Sequence, residues 1–365
     1  MIRIGIDVRK YHDFGIGTYI QNIVAKVRQQ QDLTAMLYAS PSDTAEILRN
    51  VGGPVEPNSS PKYSLRELVS LSRAANQHRV DLFHAPHYTL PYGLRMPSVV
   101  TVHDIIHLKF KQYFTPLQRR YAETMIRHAC TASNAVIVNS EFTKDELLSV
   151  IAIDPAKVHV VPMGVNPVFF TPVSQERRDA FAQRHKLDRP YILYTGSVKA
   201  HKNILTLLRA FNTLRRVYDV LLVFAGEKLE TDRELFELTE RMIIKQRIRD
   251  LGRLSLDDLA TAYQGARAVV LPSFYEGFGF SMVEAMASGV PAIGSKAGSI
   301  PEVMGKAGLI FDPYDGRRLE EYLGLMMIDE SLRQELIEKG RTRAQQFSWD
   351  RCAERTIDIY RKVVE

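Results

Sequence analysis

The chain has 365 residues, too many for one ordinary domain, and its 45% hydrophobic and 25% charged residues are typical of a soluble globular protein. It has no apolar run long enough for a transmembrane helix, a start too charged for a signal peptide, and only two cysteines, so we expect a cytoplasmic protein without disulfide framework or clustered zinc site. The net charge of +6 favours an anionic partner, but RNP, zinc-finger and basic-zipper patterns are missing, so we expect no nucleic acid partner.

In the first half of the chain, apolar runs of strand length alternate with helical patterns. The predicted strands are Arg3–Val8, Thr34–Ala39, Asp81–His84, Ser98–His103, Ala135–Asn139 and Val158–Pro162. The predicted helices are Thr18–Gln30, Leu65–Gln77, Pro116–Thr131 and Glu141–Val150. Thr115 can cap a helix that has Pro116 at its first position, and Ser140 can cap the next helix. This alternation predicts βαβ units and a parallel sheet.

The same alternation restarts after a proline-rich stretch, Pro162–Pro172, which we interpret as an interdomain linker. The predicted strands are now Tyr191–Tyr194, Val220–Phe224, Ala268–Leu271 and Pro291–Gly294. The predicted helices are Asn203–Val217, Asp232–Gln246, Leu256–Gln264 and Ser281–Ser288, and only helices are expected from Leu319 to Glu365. The sequence therefore predicts an α/β protein with two doubly wound domains and an active site in the cleft between them.

The most informative segment is Pro272–Pro291, where a strand, a glycine-containing loop and a helix follow one another. Gly277 and Gly279 let the backbone approach a ligand closely, and the helix start adds N–H groups and a positive dipole end. These features predict a phosphate site flanked by two carboxylates, Glu276 and Glu284. The alternative for Glu284 is a capping box with Ser281, which needs no ligand.

With these residues in place, the chain resembles the retaining GT-B glycosyltransferases of family GT4 over nearly its whole length. Their signature is a pair of glutamates separated by seven residues, which Glu276 and Glu284 match within E-G-F-G-x-x-x-x-E-A-M-A-x-G-x-P. Further matching text is Gly15-Ile16-Gly17, Val102-His103-Asp104, Asn139-Ser140-Glu141-Phe142, Val161-Pro162-Met163-Gly164-Val165, Gly196 with Lys202-Asn203, and Phe347-Ser348-Trp349. Within the family, the text most resembles the bacterial mannosyltransferase-like branch.

The resemblance implies two Rossmann-like domains with different tasks. Residues 1–167 would form the acceptor domain, to which an amphipathic helix of about residues 348–365 returns, and residues 168–347 would form the nucleotide-sugar donor domain. In the donor domain, the resemblance implies that Glu276 contacts the donor hexose, Glu284 the ribose and Lys202 the diphosphate. The backbone around them would complete the donor site through Gly196, Ser197, Gly277, Phe278 and Gly279.

In the first domain, the resemblance implies that His103 reaches the donor sugar and its departing phosphate. Gly15 and Gly17 would form a loop beside the pyrophosphate and the acceptor. The catalytic residues implied are therefore His103, Glu276 and Lys202, with Gly15, Gly17 and His103 on the acceptor side.

One position departs from the family pattern. Many members carry arginine after the glycine that matches Gly196, and here that residue is Ser197, so Lys199 or His201 would supply the second charge. Other residues have simpler explanations that stay open: His84, His103 and His107 as hydrogen-bonded core histidines, and Lys202 as a surface lysine. Lys202 at a helix start is electrostatically unfavourable, which favours an anion beside it.

Two further segments need a choice between interpretations. Gly15–Ile20 lacks the third glycine of a dinucleotide fingerprint and follows its strand too late for a tight turn, so we expect no NAD site. A basic helix predicted over Lys109–His128 is either a solvated face or a patch that contacts anionic lipid at the inner face of the membrane.

The function implied is transfer of a hexose, with mannose from GDP-mannose favoured, to a glycan or lipid-linked acceptor in polysaccharide biosynthesis. We expect no cofactor and no metal, because the sequence lacks a D-x-D ligand pair and a helix dipole, amides and Lys202 can neutralise the diphosphate. Two alternatives remain: a sugar-nucleotide epimerase of GT-B fold and a non-catalytic sugar-nucleotide-binding protein. The sequence leaves the base, sugar, acceptor, linkage and oligomeric state open.

Overall fold

The computed structural model describes residues 1–60 and 64–365, and the chain divides into two compact units. The first unit comprises Met1–Gly164 with Trp349–Glu365, and the second comprises Val165–Ser348. Each unit is built on one sheet, of seven and six strands respectively, in which the paired strands are parallel. Within the described residues, no helix combines the length and apolarity needed to cross a membrane.

The first unit alternates strands and helices. Its strands are β1 (Ile2–Asp7), β2 (Leu33–Ala39), β3 (Val55–Pro57), β4 (Leu82–Ala85), β5 (Ser98–Val102), β6 (Ala135–Val138) and β7 (Val158–Val160). Its helices are α1 (Phe14–Arg28), α2 (Thr44–Val51), α3 (Leu65–His78), α4 (Ile106–Lys109), α5 (Pro116–Ala132) and α6 (Glu141–Val150). The central strands β4, β5 and β6 are buried at every residue, as expected for a parallel sheet that helices cover on both faces.

The second unit repeats this arrangement. Its strands are β8 (Tyr191–Gly196), β9 (Leu221–Gly226), β10 (Ile248–Asp250), β11 (Ala268–Leu271), β12 (Ala292–Ser295) and β13 (Leu309–Phe311). Its helices are α7 (Gln175–His185), α8 (Ile204–Leu214), α9 (Arg233–Arg241), α10 (Leu256–Gly265), α11 (Phe280–Ala287), α12 (Ile300–Met304), α13 (Gly316–Ile328) and α14 (Glu330–Ala344).

The strand order locates the ligand edge of each sheet. The first sheet runs β3-β2-β1-β4-β5-β6-β7 and the second β10-β9-β8-β11-β12-β13. In both, the order reverses beside the first strand, between β1 and β4 and between β8 and β11. Ligands of doubly wound sheets bind at the carboxyl ends of the strands at such a reversal. The predicted doubly wound α/β fold is confirmed for both units.

The last helix, α15 (Trp349–Val364), packs within the first unit against α1, β4 and β6. The Tyr360 hydroxyl lies 2.6 Å from Nδ1 of His84, and Arg361 forms an ion pair with Asp32 at 3.0 Å. The buried face of this helix comprises Trp349, Cys352, Ala353, Thr356, Ile357, Ile359 and Tyr360.

The predicted strands are found with small shifts at their ends, whereas α2, α4, α7, α12, β3, β10 and β13 were not predicted. The three strands that escaped prediction have only three residues each, and two of them, β3 and β10, lack an apolar run. The prediction of one continuous basic helix over Lys109–His128 is wrong. The chain is extended at Thr115, whose hydroxyl and Gln118 form a capping box, and α5 begins afresh at Pro116.

Candidate functional site

Two loops meet at the reversal of the second sheet. One follows β8 and leads through a short 3-10 helix, Ala200–Lys202, into α8; the other follows β11 and leads into α11. Because β8 and β11 are parallel neighbours, both loops emerge at the same edge of the sheet. The residues predicted for the donor site, apart from Gly17, lie at the end of β8, on these loops or on the first turns of α11.

Asn203 fastens the first loop to the second. Its backbone is left-handed (φ 55°), and its side-chain amide donates hydrogen bonds to the carbonyl oxygens of Pro272, at 3.0 Å, and Pro313, at 2.9 Å. The amide of Phe274 donates to the carbonyl of His201 at 2.8 Å. These bonds fix the position of Lys202, which lies between His201 and Asn203.

Lys202 forms an ion pair with the first predicted glutamate. Its Nζ lies 2.7 Å from Oε1 of Glu276, and Ser273 Oγ donates to the same oxygen at 2.6 Å. The lysine side chain is only 18% exposed, so the interpretation of Lys202 as an ordinary surface lysine is wrong. The anion expected beside this helix start is, in the structure, the Glu276 carboxylate.

The backbone of Glu276 is held as firmly as its side chain. Its carbonyl accepts hydrogen bonds from the amide and the hydroxyl of Ser299, at 3.0 and 3.2 Å. Gly298 has a positive φ of 60°, and a side chain there would overlap the Glu276 backbone. Sequence reasoning missed Ser273, Gly298 and Ser299, although the spacing Ser273-x-x-Glu276 was a signal that could have indicated the first.

The glycine loop leads into α11 without a side-chain cap. Gly279 is left-handed (φ 82°) and is the residue before the helix, so the capping box of Ser281 with Glu284 does not form. The ring of Phe278 is buried, 5.2 Å from Phe280 and 5.6 Å from Phe347. Phe278 can therefore offer a ligand its backbone but not its side chain.

The second predicted glutamate bonds a tyrosine that sequence reasoning missed. The Tyr263 hydroxyl, on α10, donates to Oε2 of Glu284 at 2.7 Å and lies 2.7 Å from the Thr195 hydroxyl at the end of β8. Burial raises the pKa of Glu284 to about 7, although the bond from Tyr263 opposes that rise. Glu284 is half-buried, so a ligand can still approach it.

The turn after β8 starts from a glycine with positive φ. Gly196 has a φ of 132°, and its carbonyl accepts from the amide of Glu227 at 2.9 Å. The carbonyl of Ser197 accepts from the buried Tyr194 hydroxyl, while the Ser197 side chain is half-buried. Lys199 is exposed and His201 half-buried. Which of the two supplies the second charge stays a prediction.

In the first unit, His103 follows β5. Its Nε2 lies 3.0 Å from the Pro86 carbonyl, which can only accept, so this nitrogen carries the hydrogen. Burial lowers the pKa of His103, and its ring packs edge-on against Tyr19 at 5.2 Å. His84 is a core histidine: both ring nitrogens are bonded, to Thr101 at 2.9 Å and to Tyr360 at 2.6 Å, and burial lowers its pKa to about 3.

The two N-terminal glycines do not form a loop, which corrects the prediction. Gly15 and Gly17 lie in the first turn of α1, and the Gly17 amide donates to the Asp13 carbonyl at 2.6 Å. A side chain on Gly17 would overlap the Tyr11 carbonyl. This glycine therefore lets the helix start pack closely on the turn after β1.

Comparison with known proteins identifies the family of the chain. The family model described as "Glycosyl transferases group 1" matches residues 175–343, and that described as "Glycosyltransferase Family 4" matches residues 15–169. The chain is 31% identical over 293 residues to O-antigen chain mannosyltransferase B of Escherichia coli, covering 79% of this chain and 76% of that protein. It is also 31% identical over 282 residues to the MMP alpha-(1->4)-mannosyltransferase of Mycolicibacterium hassiacum, covering 73% of this chain and 66% of that protein.

A solved structure shares the fold over the full length of the chain. The HepE protein of Anabaena, in complex with UDP and glucose, superposes with a TM-score of 0.83 at 18% identity and covers 99% of this chain and 100% of that chain. The family models, the relatives and this fold agree with the two doubly wound units. The chain belongs to the family GT4 glycosyltransferases and has their GT-B fold.

Proposed function

We propose that this glycosyltransferase moves mannose from GDP-mannose to a glycan or lipid-linked acceptor, with retention of the anomeric configuration. The observation that best supports a donor site is the cluster of Lys202, Glu276 and Ser273 beside the start of α11. It places a cation, a carboxylate and an uncapped helix start at the ligand edge of a doubly wound sheet, which suits a sugar linked to a diphosphate.

In this proposal, the diphosphate forms an ion pair with Lys202 in place of Glu276. It lies at the start of α11, near the amides of Gly277, Phe278 and Gly279. Glu276 then turns from the lysine to the hydroxyls of the sugar, and Glu284 accepts from the ribose. Gly196 and Ser197 lie beside the phosphates.

The bond from the anomeric carbon to the phosphate oxygen breaks, and the acceptor oxygen bonds the same face of that carbon. The acceptor proton passes to the departing phosphate oxygen, which Lys202 and the helix dipole stabilise. Glu276 positions the sugar and forms no covalent intermediate.

Mannose is favoured because the names of the two relatives described above, each 31% identical to this chain, specify mannosyl transfer. A glycan acceptor is favoured because one of them acts on an O-antigen chain. The competing donor is a UDP-sugar, since HepE was solved with UDP and glucose.

The roles of the first unit are proposals of the same kind. His103 would act on the donor sugar as a neutral imidazole, and Gly17 would contribute backbone to the donor and acceptor sites. Gly15 would support the acceptor side. In α5, Leu117 is 80% exposed beside Arg119 and Arg120, which would suit contact with an anionic membrane.

The test is incubation with GDP-mannose, UDP-glucose or ADP-glucose and a mannan or polyprenyl-linked glycan, followed by assay of nucleoside diphosphate and glycan product. We expect product with an α-linkage from GDP-mannose. Lys202→Ala should lower kcat/KM at least about a hundredfold, since it removes the cation proposed to bind the diphosphate. Lys245→Ala is the matched control, because Lys245 also forms an ion pair in the second unit, with Glu240 at 2.6 Å.

Transfer from UDP-glucose alone would replace the proposed donor. Conversion of the donor to an epimer without transfer would identify an epimerase, and tight binding without turnover would identify a binding protein. Product of inverted configuration would refute retention.

A further inference from the structure

Three oxygens from three different elements form a chain beneath the candidate ribose site. Thr195 is the penultimate residue of β8, Tyr263 lies on α10 and Glu284 lies on α11. The Tyr263 hydroxyl lies 2.7 Å from both the Thr195 hydroxyl and Oε2 of Glu284. Tyr263 is fully buried and Thr195 is 9% exposed, so water does not compete for these bonds. No other side chain in the described residues is recorded as a hydrogen-bond donor to the Glu284 carboxylate.

The chemistry of the three groups decides which atom donates in each hydrogen bond. Tyr263 has one hydrogen, and it donates that hydrogen to Glu284 Oε2. The Thr195 hydroxyl must then donate to the Tyr263 oxygen. Burial raises the pKa of Tyr263, so its hydroxyl keeps its hydrogen. Both hydrogens point toward Glu284, an arrangement that stabilises its ionised form.

The tyrosine ring has little freedom to leave this position. The ring of Phe169 packs against it edge-on, with 5.5 Å between the centroids and 90° between the planes. Thr195 immediately precedes Gly196. The two hydrogen bonds therefore also link the Glu284 carboxylate to the turn proposed to face the phosphates. The hydroxyl of Tyr263 therefore fixes one oxygen of Glu284 relative to that turn.

We propose that Tyr263 is a positioning residue for nucleotide binding: it holds Oε2 of Glu284, so that the second carboxylate oxygen accepts from the hydroxyls of the ribose. This inference rests on the proposed function, because it assumes that Glu284 meets the ribose. It adds a residue that does not touch the nucleotide, and it specifies the part of the nucleotide whose recognition depends on that residue.

The consequence is selective. Without the Tyr263 hydroxyl, the charged Oε2 of Glu284 loses its hydrogen-bond donor and the side chain can rotate. The carboxylate then accepts hydrogen bonds from the ribose diol less well. Contacts with the diphosphate do not depend on that hydroxyl. Loss of the hydroxyl therefore weakens binding only of nucleotides that carry the diol.

The experiment measures by calorimetry the affinities of the full-length chain for GDP, UDP and their 2′,3′-dideoxy analogues. The variants are Tyr263→Phe, Glu284→Gln and the double variant. The matched control is Tyr191→Phe, which removes another buried hydroxyl beside α10, one that donates to the Ala262 carbonyl at 2.6 Å.

We expect Tyr263→Phe to bind the diol-containing nucleotide about tenfold more weakly, with the affinity for its dideoxy analogue unchanged. Tyr191→Phe should bind both as the wild type does, and Tyr263→Phe should add little in the Glu284→Gln background.

If Tyr263→Phe weakens both nucleotides equally, its role is only structural and the inference is overturned. It is also overturned if the wild type prefers the diol and Tyr263→Phe keeps that preference in full. If the wild type shows no preference for the diol, the ribose role of Glu284 fails, and the inference fails with it for that separate reason.

Discussion

At the scale of single residues, the ion pair between Lys202 and Glu276 sets a condition for binding. Both groups are mostly buried, and each satisfies the charge of the other at 2.7 Å. In the proposed donor complex, a diphosphate that takes the Lys202 ammonium would release the Glu276 carboxylate to accept from sugar hydroxyls. Ser273 keeps a hydrogen bond on the same carboxylate oxygen, so Glu276 retains a donor during this exchange.

The two glutamates should differ in the kinetic step that they affect. Glu276→Ala should lower kcat more than Glu284→Ala, because charge develops at the sugar in the transition state, whereas the ribose contact is shared with the ground state. Glu284→Ala should mainly raise KM for the donor. Steady-state kinetics on both variants test this, with melting curves to check that Glu284→Ala folds without its bond to Tyr263. A larger loss of kcat in Glu284→Ala would reverse the assignment.

Nucleotide affinity should rise with pH through about 7, the pKa to which burial raises Glu284. Below that pH the carboxyl is protonated and loses acceptor capacity for the ribose hydroxyls, so GDP should bind about tenfold more weakly at pH 6 than at pH 8. The shift from 4.5 to about 7 also means that this group's contribution to stability falls as pH rises across that window.

Calorimetry of the wild type and Glu284→Gln across this range provides the measurement. The variant should lose the dependence centred near 7 and keep only that of the nucleotide phosphate. An identical pH profile in the two proteins would contradict the prediction.

At the scale of elements, a short cross-link between two loops shapes the proposed donor site. Asn203 bonds the carbonyls of Pro272 and Pro313, so that the turn before α8 moves with the loop before α11. Sequence spacing alone could not reveal this link, because its ends are 69 and 110 residues apart.

The last helix illustrates the same principle in the first unit. Removal of α15 by truncation after Phe347 should abolish activity, because it uncovers apolar surface of that unit and removes the partner of His84. Tyr360→Phe is the milder variant. It removes the hydroxyl that bonds Nδ1 of the buried His84, which should lower the free energy of unfolding by about 1–3 kcal/mol.

Urea denaturation measures this loss, and Tyr314→Phe serves as the control because Tyr314 is 80% exposed. An unchanged stability in Tyr360→Phe would show that the bond to His84 contributes nothing, and an active truncated chain would show that α15 is dispensable.

At the scale of the whole molecule, both units use the same strand order, but only the second carries the paired glutamates. A diphosphate there would be neutralised by Lys202 and the start of α11, so we expect full activity in excess EDTA. The assay is GDP release from GDP-mannose with acceptor, with and without EDTA. Loss of turnover that only Mg²⁺ or Mn²⁺ restores would refute metal independence.

The sequence by itself determined the α/β class, the two-part organisation, and the helix starts at Thr115 and Ser140, whose side chains form the predicted caps. It also determined the family, through the spacing of Glu276 and Glu284. These features depend on local periodicity, capping and fixed spacing, which physical rules link directly to neighbouring residues.

Only the tertiary structure decided what surrounds those residues. It placed Gly15 and Gly17 in a helix rather than a loop and paired Lys202 with Glu276. It also ruled out the alternative capping box of Ser281 with Glu284, which instead accepts a bond from Tyr263. Short edge strands such as β3 escaped prediction because their pairing partners, and not their own three residues, stabilise them. Contacts between residues far apart in the chain depend on how the sheet brings loop ends together, and no local pattern encodes that.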